Sequence, residues 1–222
     1  MFFANRVDAG RRLAAALTKY RDRFPVVLGL PRGGVPVAFE VAHALEAPLD
    51  VLAVRKIGAP DQPELAIGAV AQGATVIDGE TLSLLGISED YVHDAVAHAR
   101  AELDGLLARL RGAAPPVAVL GRPVILVDDG IATGATARAA VQAARALGAR
   151  EVVVAAPACS PEARRLLETT ADAVVCLETP EPFIAVGYWY ADFAQTTDRE
   201  VRDLLRLARL ERDVGYHAVA TP

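Results

Sequence analysis

Short apolar runs alternate with amphipathic stretches along this 222-residue chain, and this alternation limits its possible folds more than any other feature. A run of four or five largely apolar residues is typical of a parallel strand that is buried on both faces. The stretches between the runs have helical periodicity. The sequence therefore predicts an α/β fold with a parallel sheet flanked by helices. The predicted strands are residues 26–30, 50–54, 124–127, 152–156 and 173–177, with two short strand-like pieces at 67–71 and 75–78.

Composition and charge limit the kind of partner that we expect. The hydrophobic fraction is 53% and the charged fraction is 23%, which is ordinary for a globular protein. The formal net charge is −5, whereas a general nucleic-acid binder usually carries a basic surplus, so nucleic acid is not an expected partner. No apolar run reaches the length of a membrane span, and the first residues lack the pattern of a signal peptide. We therefore expect a cytoplasmic protein that does not bind membranes.

The most informative segment is residues 124–136, where an apolar run leads into two adjacent carboxylates and then into a turn of small residues. In an open α/β sheet, ligands bind beyond the carboxyl ends of the strands. The start of a helix offers backbone N–H groups and the positive end of the helix dipole, which together suit a phosphate group. Thr133 and Thr136 can add hydroxyl donors, and Gly134 lets a ligand approach the backbone closely.

The two acids of this segment, Asp128 and Asp129, require a different partner because carboxylates repel phosphate. Sugar hydroxyls donate hydrogen bonds to carboxylates, and a magnesium ion is attracted to them. A ribose 5-phosphate carries both a vicinal diol and a phosphate group and so satisfies the whole segment. The alternative is an ordinary strand-to-helix turn with a solvated acid pair and N-capping threonines, although the complete ordered string is more specific than that.

The string resembles the signature with which type I phosphoribosyltransferases bind 5-phosphoribosyl 1-pyrophosphate (PRPP): an apolar strand, two acids, two variable residues and Ala-Thr-Gly-x-Thr. The similarity runs from Asn5 and Arg6 to about Val201, and the whole chain resembles a bacterial group usually described only by the family name. The resemblance implies a five-stranded parallel core and a small hood over the active site. It implies one domain at 1–214, with the core at about 24–180, the hood formed by the N-terminal segment and about 181–214, and a tail at 215–222.

The family's activity is magnesium-dependent transfer of the 5-phosphoribosyl group from PRPP to a nitrogenous base or related acceptor, with release of pyrophosphate. By resemblance, Asp128 and Asp129 hold the ribose hydroxyls and the magnesium ion. The 5-phosphate is expected in the loop formed by Ala132, Thr133, Gly134, Ala135 and Thr136. A homodimer and a role in nucleotide metabolism are implied on the same ground.

Two further segments offer the groups that a pyrophosphate requires. Arg32, Gly33 and Gly34 follow the first apolar run and by resemblance form the pyrophosphate loop. Arg55 and Lys56 follow the second run, where two cations would neutralise the leaving pyrophosphate. We predict catalytic roles for Arg32 and Lys56 beside the two aspartates. The alternatives are a turn with a surface arginine and a pair of solvated basic side chains.

Residues 58–65 are rich in turn formers and are predicted to form a long loop. Their position matches the mobile catalytic loop of the family, whose closure excludes water and suppresses the hydrolysis of PRPP. Glu64 is the most suggestive polar residue of this segment.

The acceptor is the least constrained part of the prediction. An aromatic ring in the hood can stack on a planar base, which makes Phe183, Tyr188 and Trp189 candidates, with packing in the hood or at a dimer interface as the alternative. Members that act on 6-oxopurines have an aspartate where this chain has Ala132, so transfer to hypoxanthine or guanine by that mechanism is not expected. A second hypothesis is a non-catalytic regulatory protein that binds PRPP or a nucleotide, and the acidic composition favours the enzyme.

Overall fold

The computed structural model describes residues 2–219, and it describes their side chains except at positions 63, 64 and 213–219. Within this range the strands are β1 (Val26–Gly29), β2 (Leu49–Val51), β3 (Val54–Ala59), β4 (Gln62–Ala71), β5 (Ala74–Ile77), β6 (Pro123–Val127), β7 (Glu151–Ala158) and β8 (Ala173–Glu178). Five of them form a parallel sheet in the order β2–β1–β6–β7–β8. The predicted α/β fold with a central parallel sheet flanked by helices is confirmed.

Helices connect and cover these strands. They are α1 (Arg6–Leu17), α2 (Gly34–Leu45), α3 (Gly79–Leu85), α4 (Glu89–Arg111), α5 (Ala135–Ala146), α6 (Pro161–Glu168) and α7 (Asp198–Val219), with 3-10 turns at Thr18–Arg23 and Val186–Trp189. Ser88 caps α4 by accepting a hydrogen bond from the N–H of Tyr91. The last helix continues to Val219, so the expected tail at 215–222 begins inside it; residues 220–222 lie outside the described range.

Two apolar layers, one on each face of the central sheet, form the core. Successive side chains of a strand point to opposite faces, so Val27 and Ile125 belong to a buried cluster that includes residues of α1, α2, α4 and α7, while Val26 and Val124 belong to one that includes residues of α5 and α6. Each fully buried valine or leucine contributes about 1.5–3 kcal/mol relative to an exposed one. This packing gives the loops at the carboxyl ends of the strands a rigid base.

Strands β3, β4 and β5 form a separate antiparallel sheet, which corrects two predictions. The predicted strand at 50–54 ends at Val51, and Val54 begins the new sheet. The predicted loop at 58–65 is instead a β-hairpin between β3 and β4, in which Ala59 pairs with Gln62 and Asp61 adopts a left-handed conformation with φ of 61°. The turn formers are divided between this tight turn and a register shift at Gly58. The side chain of Glu64 lies outside the described part of the chain.

A buried ion pair fastens the end of α4 to the edge strand β2. The side chains of Asp50 and Arg111 are 2% and 5% exposed, and Arg111 Nε donates to Asp50 Oδ1 at 2.9 Å. The carboxylate also accepts from the N–H groups of Val51 and Val117, and the guanidinium donates to the side chain of Gln72. Because these hydrogen bonds satisfy both charges, the pair can remain buried.

The N-terminal segment and the chain around residue 190, both predicted to form the hood, lie side by side. The N–H of Phe3 donates to the carbonyl of Trp189 at 2.8 Å, and the N–H of Ala191 donates back to Phe3 at the same distance. The N–H of Asp192 donates to Ala4 at 2.9 Å. These hydrogen bonds join the N-terminal segment, which leads into α1, to the aromatic-rich segment around residue 190.

None of the helices among the described residues is long and apolar enough to cross a membrane.

Candidate active site

Strands β1 and β6 are neighbours in the sheet, so the loops that follow them meet at one edge. Gly29 pairs with Val127, and the N–H of Leu30 donates to the carbonyl of Val127 at 2.8 Å. The loop at residues 31–34, in which the peptide bond between Pro31 and Arg32 is cis, therefore lies directly beside Asp128 and Asp129. The structure thus brings the predicted pyrophosphate loop and the predicted acid pair together.

The two glycines of this loop are in such close contact with the acids that no side chain would fit. A Cβ added to Gly34 would lie 2.5 Å from the carbonyl oxygen of Val127 and 2.9 Å from the Cα of Asp128. One added to Gly33 would lie 2.0 Å from Oδ2 of Asp129. The resemblance assigned these glycines to the pyrophosphate loop, and their close approach to the aspartates is a separate reason for glycine at both positions.

Asp128 and Asp129 lie in a strongly charged environment. The N–H of Asp129 donates to Oδ1 of Asp128 at 2.9 Å, which fixes the first carboxyl group. Burial, together with the neighbouring Asp129, raises the pKa of Asp128 well above its usual range. A cation or a hydroxyl donor would stabilise the ionised form of this carboxyl group, which burial and the neighbouring carboxylate disfavour. Magnesium and the ribose hydroxyls, the partners predicted for the pair, are groups of these two kinds.

Arg6, the first residue of α1, is the counter-ion of Asp129. Its Nε and Nη2 each lie 2.8 Å from Oδ2 of Asp129, and the two side chains are only 12% and 14% exposed. Nη1 donates to the carbonyl of Ala194 at 2.6 Å, and the guanidinium carbon lies 4.0 Å from the ring centroid of Phe193. Arg6 therefore connects the acid pair to the hood segment.

Tyr190 completes this arrangement from the hood side. Its hydroxyl donates to the backbone carbonyl of Asp129 at 2.5 Å, and burial raises the pKa of the phenol, which therefore stays protonated as a donor. Sequence reasoning assigned no role to Arg6, Tyr190 or Phe193. The available signals were one of three arginines in the N-terminal segment and a cluster of aromatic residues, and neither indicates a contact with Asp129.

The predicted phosphate loop precedes α5. Ser160, which lies between β7 and α6, forms a hydrogen bond to this loop. Ser160 Oγ donates to the carbonyl of Ala132 at 2.6 Å and accepts from the N–H of Ala163 at 3.0 Å. Gly134 adopts φ of 78°, and no side chain of the described residues caps α5. Apart from a long 3.4 Å contact of Thr133 Oγ1 with the next-but-one N–H, the first turn of α5 is open to a ligand.

The side chains of the two cations predicted to follow the second apolar run point in different directions. Arg55 and Lys56 are adjacent in β3 and so project to opposite faces. Arg55 lies 3.6 Å from Glu102 of α4, away from the phosphate loop. Lys56 instead lines a cleft of about 400 Å³ between the second sheet and α5, together with Thr136. Only Lys56 of this pair thus faces the helix that follows the phosphate loop.

The aromatic candidates for base binding contact one another in the hood. Trp189 is stacked against Phe2, with ring centroids 5.8 Å apart, and against Phe183, at 6.4 Å. Tyr188 meets Trp189 edge-on at 5.6 Å and is exposed. Phe183 and Trp189 therefore use their faces for packing, and Tyr188 is the candidate with the most accessible ring.

Comparison with known proteins agrees with this geometry. Residues 3–192 match the family model described as the phosphoribosyl transferase domain. The chain belongs to the phosphoribosyltransferase family. This confirms the resemblance, which was inferred from the sequence between Asn5 and about Val201.

Two relatives in Mycobacterium tuberculosis, in strains CDC 1551 / Oshkosh and ATCC 25618 / H37Rv, each bear the name "Putative phosphoribosyl transferase". Each is 47% identical to this phosphoribosyltransferase chain over 212 residues, which is 95% of this chain and 47% of the relative. The chain thus spans about half the length of these relatives. The crystal structure of TT1426 from Thermus thermophilus is similar with a TM-score of 0.84 and 44% identity, over 92% of this chain and 98% of that one.

Proposed function

We propose that this chain transfers the 5-phosphoribosyl group from PRPP, in the presence of Mg²⁺, to a nitrogenous base or a related acceptor and releases pyrophosphate. Membership of the family supports this proposal. The observation that carries it is the contact between the loop at Gly33 and Gly34 and the acid pair, beside the open first turn of α5. This edge of the sheet offers sites for a phosphate, a diol and a pyrophosphate in a row.

The proposed orientation of PRPP follows from the charges along this edge. The 5-phosphate binds the N–H groups and hydroxyls of residues 132–136, where the helix dipole favours an anion. The ribose hydroxyls donate to Asp128 and Asp129. The pyrophosphate lies along the loop at 31–34, and Arg32 and Lys56 are the cations proposed to attract it. Arg55 faces α4 and is assigned only a supporting charge.

The donor set at the acid pair fits a magnesium ion that arrives with its substrate. Mg²⁺ is usually held by one or two carboxylates together with substrate phosphates and water, rather than by a cage of protein ligands. No group of three or more potential protein ligands converges in the described part of the chain, whereas two adjacent carboxylates are present. Asp128 and Asp129 would hold the ion, which when bound offsets negative charge on the phosphate oxygens.

The residues of the chain act on the two sides of the reacting carbon. A nitrogen nucleophile of the acceptor forms a bond to C1 of the ribose while the bond from C1 to the pyrophosphate oxygen breaks. The transition state has oxocarbenium character, as in other glycosyl transfers. Asp128 and Asp129 orient the ribose, and Arg32 and Lys56 stabilise the negative charge that develops on the leaving group.

The hood is proposed to select the acceptor. Ala132 takes the place of the aspartate used on 6-oxopurines, which argues against hypoxanthine and guanine as acceptors. Tyr188 is the aromatic residue with the most accessible ring and is proposed to face a planar base. By family resemblance we also propose a homodimer.

The decisive experiment measures pyrophosphate release from PRPP and Mg²⁺ with a panel of purine, pyrimidine and pyridine bases. Release with one base establishes the transferase and identifies the acceptor. The double variant Asp128→Asn, Asp129→Asn should lose both PRPP binding and release. Asp104→Asn, an exposed acid on α4, is the matched control and should behave like the wild type.

The other outcomes have definite meanings. Binding of PRPP by the wild type without release for any base would favour the non-catalytic regulatory protein or an acceptor outside the nucleobases. Equal PRPP affinity in the wild type and the double variant would contradict the assignment of the ligand to this edge of the sheet.

A further inference from the structure

Asp198, the first residue of α7, is bound by two arginines from distant parts of the chain. Arg32 Nη1 lies 3.3 Å from Oδ1 of Asp198, and Arg109 Nε lies 3.1 Å from Oδ2. Arg32 comes from the loop after β1, and Arg109 comes from the last turns of α4. One carboxylate thus bridges two guanidinium groups, which is also the way in which paired arginines bind a phosphate group.

These two ion pairs are exposed enough for another anion to replace the carboxylate of Asp198. The side chains of Arg32, Arg109 and Asp198 are 43%, 59% and 27% exposed, respectively. Exposed ion pairs typically contribute little to stability, because water and salt compete for both charges. An anion with more than one negative charge can therefore displace the single carboxylate from both arginines.

The start of α7 and the side chain of Arg109 have local supports that do not depend on the contact with Asp198. Thr197 Oγ1 accepts from the N–H of Glu200 and so caps α7, which leaves the side chain of Asp198 unnecessary for the cap. Arg109 Nη1 donates to the carbonyl of Gly105 one turn earlier in α4, at 3.0 Å. The arginine therefore keeps an anchor when the carboxylate leaves.

We propose that Arg32 and Arg109 form one phosphate subsite, that Asp198 occupies it in the ligand-free protein, and that the pyrophosphate group of PRPP replaces Asp198 there. This inference rests on the proposed function, because it takes the loop at Arg32 as the pyrophosphate loop. It adds Arg109 to the residues that bind pyrophosphate, and it makes Asp198 an internal competitor of the ligand.

The test is the affinity for inorganic pyrophosphate with Mg²⁺, and separately for PRPP with Mg²⁺, by isothermal titration calorimetry at fixed ionic strength. Arg109→Gln should weaken pyrophosphate binding roughly tenfold, because a charge-assisted hydrogen bond is lost. Arg109→Lys should recover part of this loss. Asp198→Asn should instead bind pyrophosphate about three- to tenfold more tightly, since the competing charge is removed.

Matched controls come from the same helix as Asp198. Arg199 and Asp203 are exposed and lie 3.7 Å apart on α7, so Arg199→Gln and Asp203→Asn change the net charge as the test variants do. Both should bind pyrophosphate within about twofold of the wild type if net charge alone has little effect. The thermal unfolding of each variant is recorded beside its affinity.

Three results would overturn the inference. They are equal pyrophosphate affinity of Arg109→Gln and Arg199→Gln, weaker binding by Asp198→Asn than by Asp203→Asn, and no pyrophosphate binding by a wild type that binds PRPP. In the last case the proposed function stands. Conversely, the predicted order of pyrophosphate affinities in a protein that binds no PRPP would support the subsite and contradict the proposed function.

Discussion

Arg6 and Asp129 are 123 positions apart in the chain, and both Nε and Nη2 of the arginine lie 2.8 Å from a single carboxylate oxygen, Oδ2. The backbone of Gly33 lies against the same oxygen, so close that a Cβ there would be 2.0 Å away. The carboxylate is therefore oriented from two sides before any ligand binds. This relationship makes Arg6 a positioning residue for the proposed site.

Arg6→Gln is expected to raise the KM for PRPP by roughly ten- to a hundredfold, because Asp129 loses two hydrogen bonds to a charged donor. The turnover number should change less, since Arg6 acts on the orientation of the ribose site. Arg6→Lys should recover only part of the affinity, because an ammonium group cannot reproduce the fork of donors. Steady-state kinetics against Arg11→Gln, an exposed arginine of the same helix, separates this effect from a general loss of charge. An unchanged KM for PRPP in Arg6→Gln would contradict the positioning role of Arg6.

Gly34→Ala is expected to destabilise the protein by about 1–3 kcal/mol, because the added methyl group overlaps the backbone of the acid segment. PRPP binding should be lost with it, since Asp128 must move. Gly105→Ala is the matched control: it lies inside α4, where a Cβ meets only the tip of Arg109 at 3.7 Å, and it should stabilise the helix by up to about 1 kcal/mol. Urea denaturation measures both changes, and a Gly34→Ala variant as stable as the wild type would refute the close contact.

Asp128→Asn is expected to increase the stability of the ligand-free protein at neutral pH. Burial and Asp129 raise the pKa of Asp128 above its ordinary value of 3.8, so the unfolded state ionises first as the pH rises. The free energy of unfolding of the wild type therefore falls between the unfolded and the folded pKa, and asparagine removes this decrease. Thermal unfolding with a chelator, at about pH 4 and about pH 8, should show a larger advantage of the variant at the higher pH. An advantage that is equal at both pH values would exclude this cause.

Arg111→Met is expected to lower the free energy of unfolding by about 3–5 kcal/mol, because it leaves the carboxylate of Asp50 buried without its counter-ion. Arg165→Met removes an exposed partner of Glu162 in α6 and should change stability by less than about 0.5 kcal/mol. Chemical denaturation of the two variants provides the comparison. Similar small losses in both would mean that water reaches Asp50.

The sequence was sufficient to predict the central sheet and the position of the acid pair directly after one of its strands. The run that ends at Val127 contains only apolar residues, and such a run can be buried only in a sheet that is covered on both faces. Its position before Asp128 and Asp129 also determined where the acids would lie. These are local properties, which a single sequence expresses directly.

Features that depend on pairing between distant segments were not predictable in this way. The hairpin of β3 and β4 was read as a loop, because turn formers occur both in its turn and at its register shift, and only the cross-strand partners distinguish the two. Arg55 and Lys56 were grouped by their charge, whereas the alternation of β3 separates them. Arg6 was missed because its partner Asp129 is brought near only by the fold.

Ser160 uses one oxygen to cap α6 and to hold the carbonyl of Ala132. The predicted phosphate loop therefore cannot move away from Ser160 without also disturbing the cap of α6, a helix in one of the two core layers. Its shape is set during folding, so a ligand that binds there loses little affinity to ordering the loop. Variation in the hood can thus change the acceptor while the loop at 132–136, the proposed site of the 5-phosphate, keeps its shape.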